Sequence, residues 1–417
     1  MELMEEDVVV VGAGIAGLAT AVALKRVGVR ALVLERSEEL RATGAGLSLF
    51  PNAFCALDAL GVSYKLTSLY APSTKGCITN IASGITREVS FGQGLGPIAV
   101  HRKALLEALA EELPNDAIRF SSKLISIEIE AADHKRQDLS GILIHLGDGT
   151  LIKTKVLVGC DGVHSVVAQW LGLSQTAYSG RGAARGLALI PEGHGLSQDQ
   201  VHQFVDTGKR AGLFPLNDKE VYWFFSCKST PQDDHDMSRD PKLIQKQVIE
   251  KHCKDFPAKF LEIIRQSDLA TLTWAPLVFR YPWNVILGKM YMGGVTVAGD
   301  AMHPMTPDLG QGGCAALEDA VVLGRHIGTL FLKNKRIVPQ EVGVALKSYV
   351  NERRWRAAGL ITGSYLSGWA QQVGNDWWMK FLRHVIFYKF LYPKIFDSIR
   401  YDCGTLPLNV DDPTKVD

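Results

Sequence analysis

Six residues near the start of this 417-residue chain, Gly12-Ala13-Gly14-Ile15-Ala16-Gly17, have types and spacing suited to gripping a diphosphate. An apolar run, Asp7 to Val11, precedes them and an Ala- and Leu-rich stretch, Ile15 to Val27, follows. The glycines therefore fall at a strand-to-helix turn. Gly12 permits the tight turn, Gly14 lets a pyrophosphate approach the backbone, and Gly17 lets helix and strand pack closely. The helix N-terminus offers unpaired N–H groups and a positive dipole end to the phosphates. Glu35 closes the next strand, Arg30 to Leu34, 18 residues beyond Gly17. Its carboxylate can accept hydrogen bonds from both hydroxyls of an adenosine ribose and would repel a 2′-phosphate. Gly12, Gly14, Ile15, Ala16, Gly17 and Glu35 are thus candidate ligand-binding residues, and the ligand is FAD or NAD.

These residues must be held by a βαβ unit, hence by a parallel sheet with a right-handed crossover. Helical spacing returns at Arg102 to Leu113, and strand patterns follow at Lys123 to Ala131, Gly141 to Leu146 and Lys155 to Val158, the last running into Gly159-Cys160-Asp161-Gly162. Between about residues 181 and 285 the character changes. Aromatic strand-like runs such as Tyr222 to Ser226 are mixed with a polar loop, Gln232 to Asp240, and an amphipathic helix near Leu243 to Cys253. This middle part is expected to be a separate, mostly antiparallel domain laid over the first. A strand from Tyr291 to Ala298 then leads into Gly299-Asp300, and helices are predicted at Gly312 to Ile327 and Val344 to Gly359. The fold class is α/β: a Rossmann-like dinucleotide-binding domain with a parallel sheet, a mostly antiparallel β domain, and C-terminal helices.

Composition excludes several classes of function. Hydrophobic residues make up 47% and charged residues 21%, so the chain is neither disordered nor fibrous. Forty-five Lys plus Arg against 44 Asp plus Glu supply no broad field for a phosphate backbone, and nucleic acid is not an expected partner. Seven scattered cysteines with no CxxC pair read as a reduced, cytoplasmic protein without a zinc knot. The uncharged run Val8 to Leu24 follows Glu2, Glu5, Glu6 and Asp7, the wrong charge for a signal peptide, and Ala357 to Asn375 is too polar to span a bilayer. No integral membrane span is expected. Trp377 to Phe396, aromatic with interspersed Lys, Arg and His, reads as a helical pair packed over the sheet domain or as a peripheral membrane- or partner-docking face.

Two further segments choose between FAD and NAD. Val158-Gly159-Cys160-Asp161-Gly162-Val163-His164-Ser165 and Val297-Ala298-Gly299-Asp300-Ala301-Met302-His303-Pro304 resemble the DG and GD motifs of the single-component, group A flavin monooxygenases, the p-hydroxybenzoate hydroxylase class. The resemblance covers residues 7 to about 360. Gly310-Gln311-Gly312-Gly313-Cys314-Ala315-Ala316-Leu317-Glu318-Asp319-Ala320 looks most like the zeaxanthin epoxidases and their shorter plant relatives, including salicylate hydroxylase-like monooxygenases. Asp402-Cys403-Gly404-Thr405-Leu406-Pro407 is similar to a segment of the same plant proteins.

The resemblance implies FAD as the resident cofactor, with NAD(P)H as a visiting reductant and O2 as co-substrate. It implies that Asp300, beside Gly299, accepts hydrogen bonds from the ribityl chain, and that Pro307, Gly310, Gly312 and Gly313 carry the backbone past the flavin ring. Arg102 would balance the pyrophosphate or ribityl region, and Asp161 would fix the DG turn. Arg36, Gly44, Ala45 and Leu124 are further cofactor candidates. The FAD-binding domain would comprise residues 1–70, 98–180 and 286–360, the substrate domain 71–97 and 181–285, and a C-terminal helical region 361–417.

In the resembled class a flavin C4a-hydroperoxide delivers oxygen to the substrate, here a small phenolic or aromatic acid, and no side chain need act as a nucleophile. The alternatives are epoxidation of an isoprenoid and a flavin-fold scaffold without turnover. Substrate-pocket candidates are His202, Phe204, Phe214, Pro215, Trp223 and Phe225, chosen because alternate residues of a strand share a face. Arg181 and Arg185 can pair with a substrate carboxylate or with nicotinamide-cofactor phosphates, or lie exposed. His303 is either structural or substrate-proximal. It has no second ligand at metal-binding spacing, so no metal is expected. Asp161, His164 and Ser165 are packed into five positions, too tightly for a hydrolytic triad.

Overall fold

A computed structural model describes residues 3–40, 45–92, 96–130, 141–238, 240–372 and 398–407. The chain opens with β1 (Leu3–Val11), α1 (Ile15–Arg26) and β2 (Leu32–Leu34), then β3 (Gly46–Leu49), α2 (Pro51–Leu60) and α3 (Ser63–Thr67). A hairpin of β4 (Lys75–Asn80) and β5 (Thr86–Ser90) is followed by β6 (Ile98–His101), α4 (Arg102–Ala110), β7 (Ile118–Arg119), β8 (Leu124–Ile129), β9 (Ile142–Leu146), β10 (Leu151–Gly159) and α5 (Val166–Trp170). The middle of the chain supplies β11 (Ala177–Leu189), β12 (Gln200–Asp206), β13 (Lys209–Pro215), β14 (Glu220–Lys228), α6 (Pro231–Met237), α7 (Pro241–Lys246), α8 (Ala258–Arg265) and β15 (Thr273–Phe279). It ends with α9 (Pro282–Leu287), β16 (Tyr291–Met292), β17 (Val295–Val297), α10 (Gly312–Asn334) and α11 (Pro339–Gln372).

One sheet runs β16-β17-β10-β1-β2-β7, with β9 paired antiparallel to β10 and β8 antiparallel to β9. Its central pairs, β1 with β10 and β2 and β10 with β17, are parallel. Val8 to Val11 are buried on both faces, as a central parallel strand between helices must be. A second, seven-stranded sheet runs β15-β11-β14-β13-β12-β4-β5 and is antiparallel except where β12 meets β4. The fold is thus α/β, with a Rossmann-like parallel sheet, a mostly antiparallel second sheet and long C-terminal helices.

Three apolar clusters show how the layers pack. The largest surrounds the parallel sheet, α1, α10 and part of α11. A second fills the space between the back of the seven-stranded sheet and α6, α7 and α8, where Trp223 and Phe225 are fully buried. The third lies on the front of that sheet, where Phe214, Tyr222 and Phe224 meet Ala45 and Ala99 beside β3 and β6.

Local differences from the sequence reading have physical causes. Tyr291 to Ala298 is two short antiparallel strands, because Gly293 takes a left-handed φ of 58° and turns the chain. Within the expected loop 232–240, α6 forms because Thr230 and Asp233 make a reciprocal capping box. The helix expected at 243–253 is α7 continued by a widened π-type turn over Gln247–His252. Residues 377–396, read as a helical pair or docking face, lie outside the described residues, as does Gly44.

Candidate functional site

The glycine-rich turn separates packing from binding. Gly12 has φ +103°, and a Cβ there would lie 2.5 Å from the Cys160 carbonyl oxygen; a Cβ on Gly17 would lie 1.8 Å from the Gly12 carbonyl oxygen. Both glycines are therefore required by the protein itself. A Cβ on Gly14 would meet nothing within 4 Å, and Gly14 is the cap of α1 with no side chain closing its N-terminus. Open space in front of uncapped N–H donors is what a diphosphate needs. Beside it, Glu35 Oε2 accepts the Ala13 N–H and Oε1 accepts the Ser37 N–H, both at 2.9 Å. Each oxygen keeps lone-pair capacity for a ribose hydroxyl. Arg36 is exposed, and Leu124 is buried at the start of β8, two residues beyond Ser122, whose N–H reaches the Glu35 carbonyl.

Three other segments converge on this turn. Gly299 (φ +60°) sits so close to Ala16 that a Cβ would lie 2.7 Å from the alanine methyl. Asp300 is exposed next to it, 3.9 Å from where a Gly312 Cβ would stand, so its carboxylate faces the start of α10. Gly313 packs between Leu47 and Ile15, and Pro307 opens the short 3₁₀ turn that Gly310 ends in a left-handed conformation (φ +65°) beside Phe50. Arg102 opens α4, its N–H bonded to the Ala45 carbonyl. Burial pulls its guanidinium below the usual arginine range while nearby Asp300 opposes the shift. It makes no ion pair among the described residues, and its Nε is buried without a partner. An under-compensated cation beside the open turn fits an anionic group.

Asp161 follows β10 and has a structural duty as well: Oδ2 accepts the Val166 N–H at 2.7 Å, while Ser165 caps α5. Burial pushes its carboxyl up, and Oδ1 is buried without a partner. These contacts bring the segments bearing Gly12, Gly14, Ile15, Ala16, Gly17, Glu35, Ala45, Arg102, Asp161, Gly299, Asp300, Gly312 and Gly313 next to one another, and the residues present fit FAD.

The substrate candidates need correction. Directly opposed residues of antiparallel strands share a face, and Phe204, Ala211 and Phe225 form one such row while His202, Leu213 and Trp223 form the next. These rows join the back cluster under the helices. Phe204 packs on Phe256 and Phe260, and Trp223 Nε1 donates to Ser267 Oγ at 2.7 Å. Pro215 lies opposite back-face Val221. His202, Phe204, Pro215, Trp223 and Phe225 thus face away from the glycine turns, and of the six only Phe214 is on the front. The period was read correctly and its phase was not, because a strand buried on both faces offers two equally apolar sets.

The front face instead presents Arg185, Leu187, Gln203, Arg210, Tyr222 and Phe224. Arg181 is neither exposed nor free: it forms a buried two-pronged ion pair with Asp308 at 2.9 and 2.7 Å. Arg210 donates to the Asp308 carbonyl at 2.8 Å and to Gln203 Oε1 at 3.0 Å, with its guanidinium 5.7 Å from the Phe224 ring centre. Asp308 escaped the sequence reading; its only signal was a carboxylate lying within Pro307 to Gly313. His303 is fully buried against Asp319 at 2.5 Å, so it is structural and does not reach the substrate side.

A parallel sheet carrying a dinucleotide turn, a GD turn and a second sheet laid over both define a class, and comparison with known proteins gives the same one. The family model described as "FAD binding domain" matches residues 5–364, and the chain belongs to that family: it is a group A flavin monooxygenase with FAD as its cofactor. Among its relatives, Monooxygenase 2 of Arabidopsis thaliana is 41% identical over 412 residues, covering 96% of this chain and 98% of that one. Aurachin C monooxygenase/isomerase of Stigmatella aurantiaca is 30% identical, covering 88% and 89%. The crystal structure of Klebsiella pneumoniae HpxO complexed with FAD and uric acid superposes with a TM-score of 0.77 at 26% identity, covering 95% of this chain and 96% of that one. No helix among the described residues is long and apolar enough to cross a membrane, and no group among them has the makings of a metal site.

Proposed function

We propose that this monooxygenase hydroxylates a small aromatic molecule at the front face of the seven-stranded sheet, using NADH or NADPH and O2. The observation that carries this reading is the composition of that face. Leu187, Phe214, Tyr222 and Phe224 form an apolar wall beside Ala45 and Ala99, and half-buried Arg210 and Gln203 place a few polar groups on the same face, where Arg210 reaches Asp308 of the 307–313 segment next to the glycine turns. An apolar pocket with few, fixed polar groups orients a planar ligand and keeps water out.

Bound FAD supplies hydride acceptance and oxygen activation. Gly14 and the N-terminus of α1 would hold its diphosphate, Glu35 its adenosine ribose, and Asp300 with Arg102 its ribityl region. The Tyr222 hydroxyl stays a protonated donor, because burial pushes its pKa up against the pull of Arg185 and Arg102. Arg210 has a buried Nε without a partner and can donate to a substrate oxygen. That a relative of this fold is complexed with uric acid, a planar heterocycle, supports the same substrate shape.

The test is the anaerobic rate of flavin reduction by NADPH and NADH, alone and with phenolic acids, heteroaromatics and isoprenoids, followed by aerobic product and peroxide analysis. Acceleration by an aromatic compound with oxygen incorporated into it is the expected result. Acceleration by isoprenoids alone would replace hydroxylation with epoxidation.

A further inference from the structure

Behind the glycine turns, buried polar side chains form one continuous chain of contacts. Asp319, on α10, accepts the Gly299 N–H at 2.8 Å and faces His303 Nε2 at 2.5 Å through Oδ2, and accepts Arg353 Nε at 2.7 Å through Oδ1. Arg353, from α11, also reaches Glu318 at 2.7 Å and the Ala315 carbonyl at 3.2 Å. Glu318 takes Arg356 at 2.7 Å and Asn52 Nδ2 at 2.6 Å, and Asn52 Nδ2 donates to Gln311 Oε1 at 2.9 Å. Asn52, His303, Gln311, Glu318, Asp319 and Arg353 are all fully buried.

Such a network is a poor way to gain stability, since apolar residues of equal volume often hold helices together as well or better. What an apolar plug cannot do is accept the Gly299 N–H. That donor belongs to the left-handed turn bearing Asp300, while the far end of the network holds Gln311, the residue before Gly312 at the start of α10. One end of the network therefore holds a backbone N–H of the GD turn and the other holds the side chain of the residue that opens α10.

We propose that Asp319 is a positioning residue for FAD: it orients the Gly299–His303 turn, and hence Asp300, and through Arg353, Glu318 and Asn52 sets the spacing between that turn and the N-terminus of α10. The proposal rests on the reading that Asp300 holds FAD, and the two are tested separately. Apoprotein is titrated with FAD and the Kd is read from quenching of flavin fluorescence. Asp300→Ala alone tests the reading; wild-type affinity in that variant would remove Asp300 from the site and the proposal with it.

Asp319→Asn should weaken FAD by about tenfold in the wild-type background and by less than about twofold in the Asp300→Ala background, because a residue acting through Asp300 loses its effect once Asp300 is gone. Equal losses in both backgrounds, or no loss in either, would overturn the proposal. Because Asp319→Asn leaves Arg353 less compensated in a dry site, His303 gives a second route. His303→Gln still offers Asp319 an N–H donor and should stay within about threefold of wild type, whereas His303→Leu should not. Matching FAD affinities in the Gln and Leu variants would overturn the assignment as surely as additivity would.

Discussion

Single residues divide according to whether the protein or the cofactor needs them. A Cβ on Gly17 collides with the Gly12 carbonyl, whereas one on Gly14 meets only open space. Gly17→Ala should therefore lower the yield and melting temperature of the folded protein. Gly14→Val should leave the apoprotein's melting temperature nearly unchanged and purify without yellow colour; retention of full flavin absorbance would show that no phosphate lies over Gly14. Glu35→Ala should weaken FAD by roughly tenfold to a hundredfold, the worth of one or two hydrogen bonds to a charged acceptor, measured by fluorescence titration. Cys314 is a packing residue: it is fully buried, its sulfur lies 3.7 Å from the Gly310 carbonyl, and burial pushes its thiol up to about 12. Cys314→Ala should turn over at near the wild-type rate, and a dead but folded variant would give the sulfur a redox role. These residues were legible because the motif that marks them is short and contiguous. Asp308 was not, because its partner Arg181 lies 127 residues away.

At the scale of one strand, β14 displays opposite fates on alternate residues. Trp223 and Phe225 point into the helix-covered core while Tyr222 and Phe224 point to the front. Trp223→Ala should cost about 3–5 kcal/mol of stability in denaturant melts, with the Ser267 hydroxyl also left without its donor. Phe224→Ala should cost far less stability and raise KM, about tenfold if it covers one ring face of the substrate. A Trp223 variant that folds normally and fails only in KM would reverse the assignment of faces. The alternation in Tyr222 to Ser226 was plain in the sequence. Which set looked at the flavin was not, since both are aromatic and the choice is made by α6 to α8 packing on one side. The hairpin β16/β17 and the capped helix α6 carried visible signals, paired glycines and a Thr-x-x-Asp, that length and polarity outweighed.

Across the whole molecule the buried ionic network predicts a two-sided pH profile of stability. Burial would raise the Asp319 carboxyl, but the charges of His303 and Arg353, with hydrogen bonds from His303 and the Gly299 N–H, together hold it down, at about 2. A depressed carboxyl stabilises the fold above its unfolded value near 3.9, and that contribution disappears as pH falls through 2. The His303 imidazole is raised by the Asp319 carboxylate, against burial. Its contribution is complete below an unfolded value near 6.5 and is lost as pH rises through the raised one. The melting temperature should therefore plateau between about pH 4 and 6.5, and His303→Gln should flatten the alkaline limb and shrink the acid one, since it also removes one of the charges that hold Asp319 down. Class and cofactor were legible because they reside in local turns, whereas this network joins residues from Asn52 to Arg356 that only the assembled fold brings together. The order of strands also governs how the chain can be made. The first strand waits for β10 and β10 for β17, while β4 waits for β12. During synthesis the ribosome must release the chain as far as Val297 before the parallel sheet has all its central members. A nascent chain stalled before β10 would leave an edge of β1 and of β4 open to pairing with other chains, a job for a chaperone rather than for FAD.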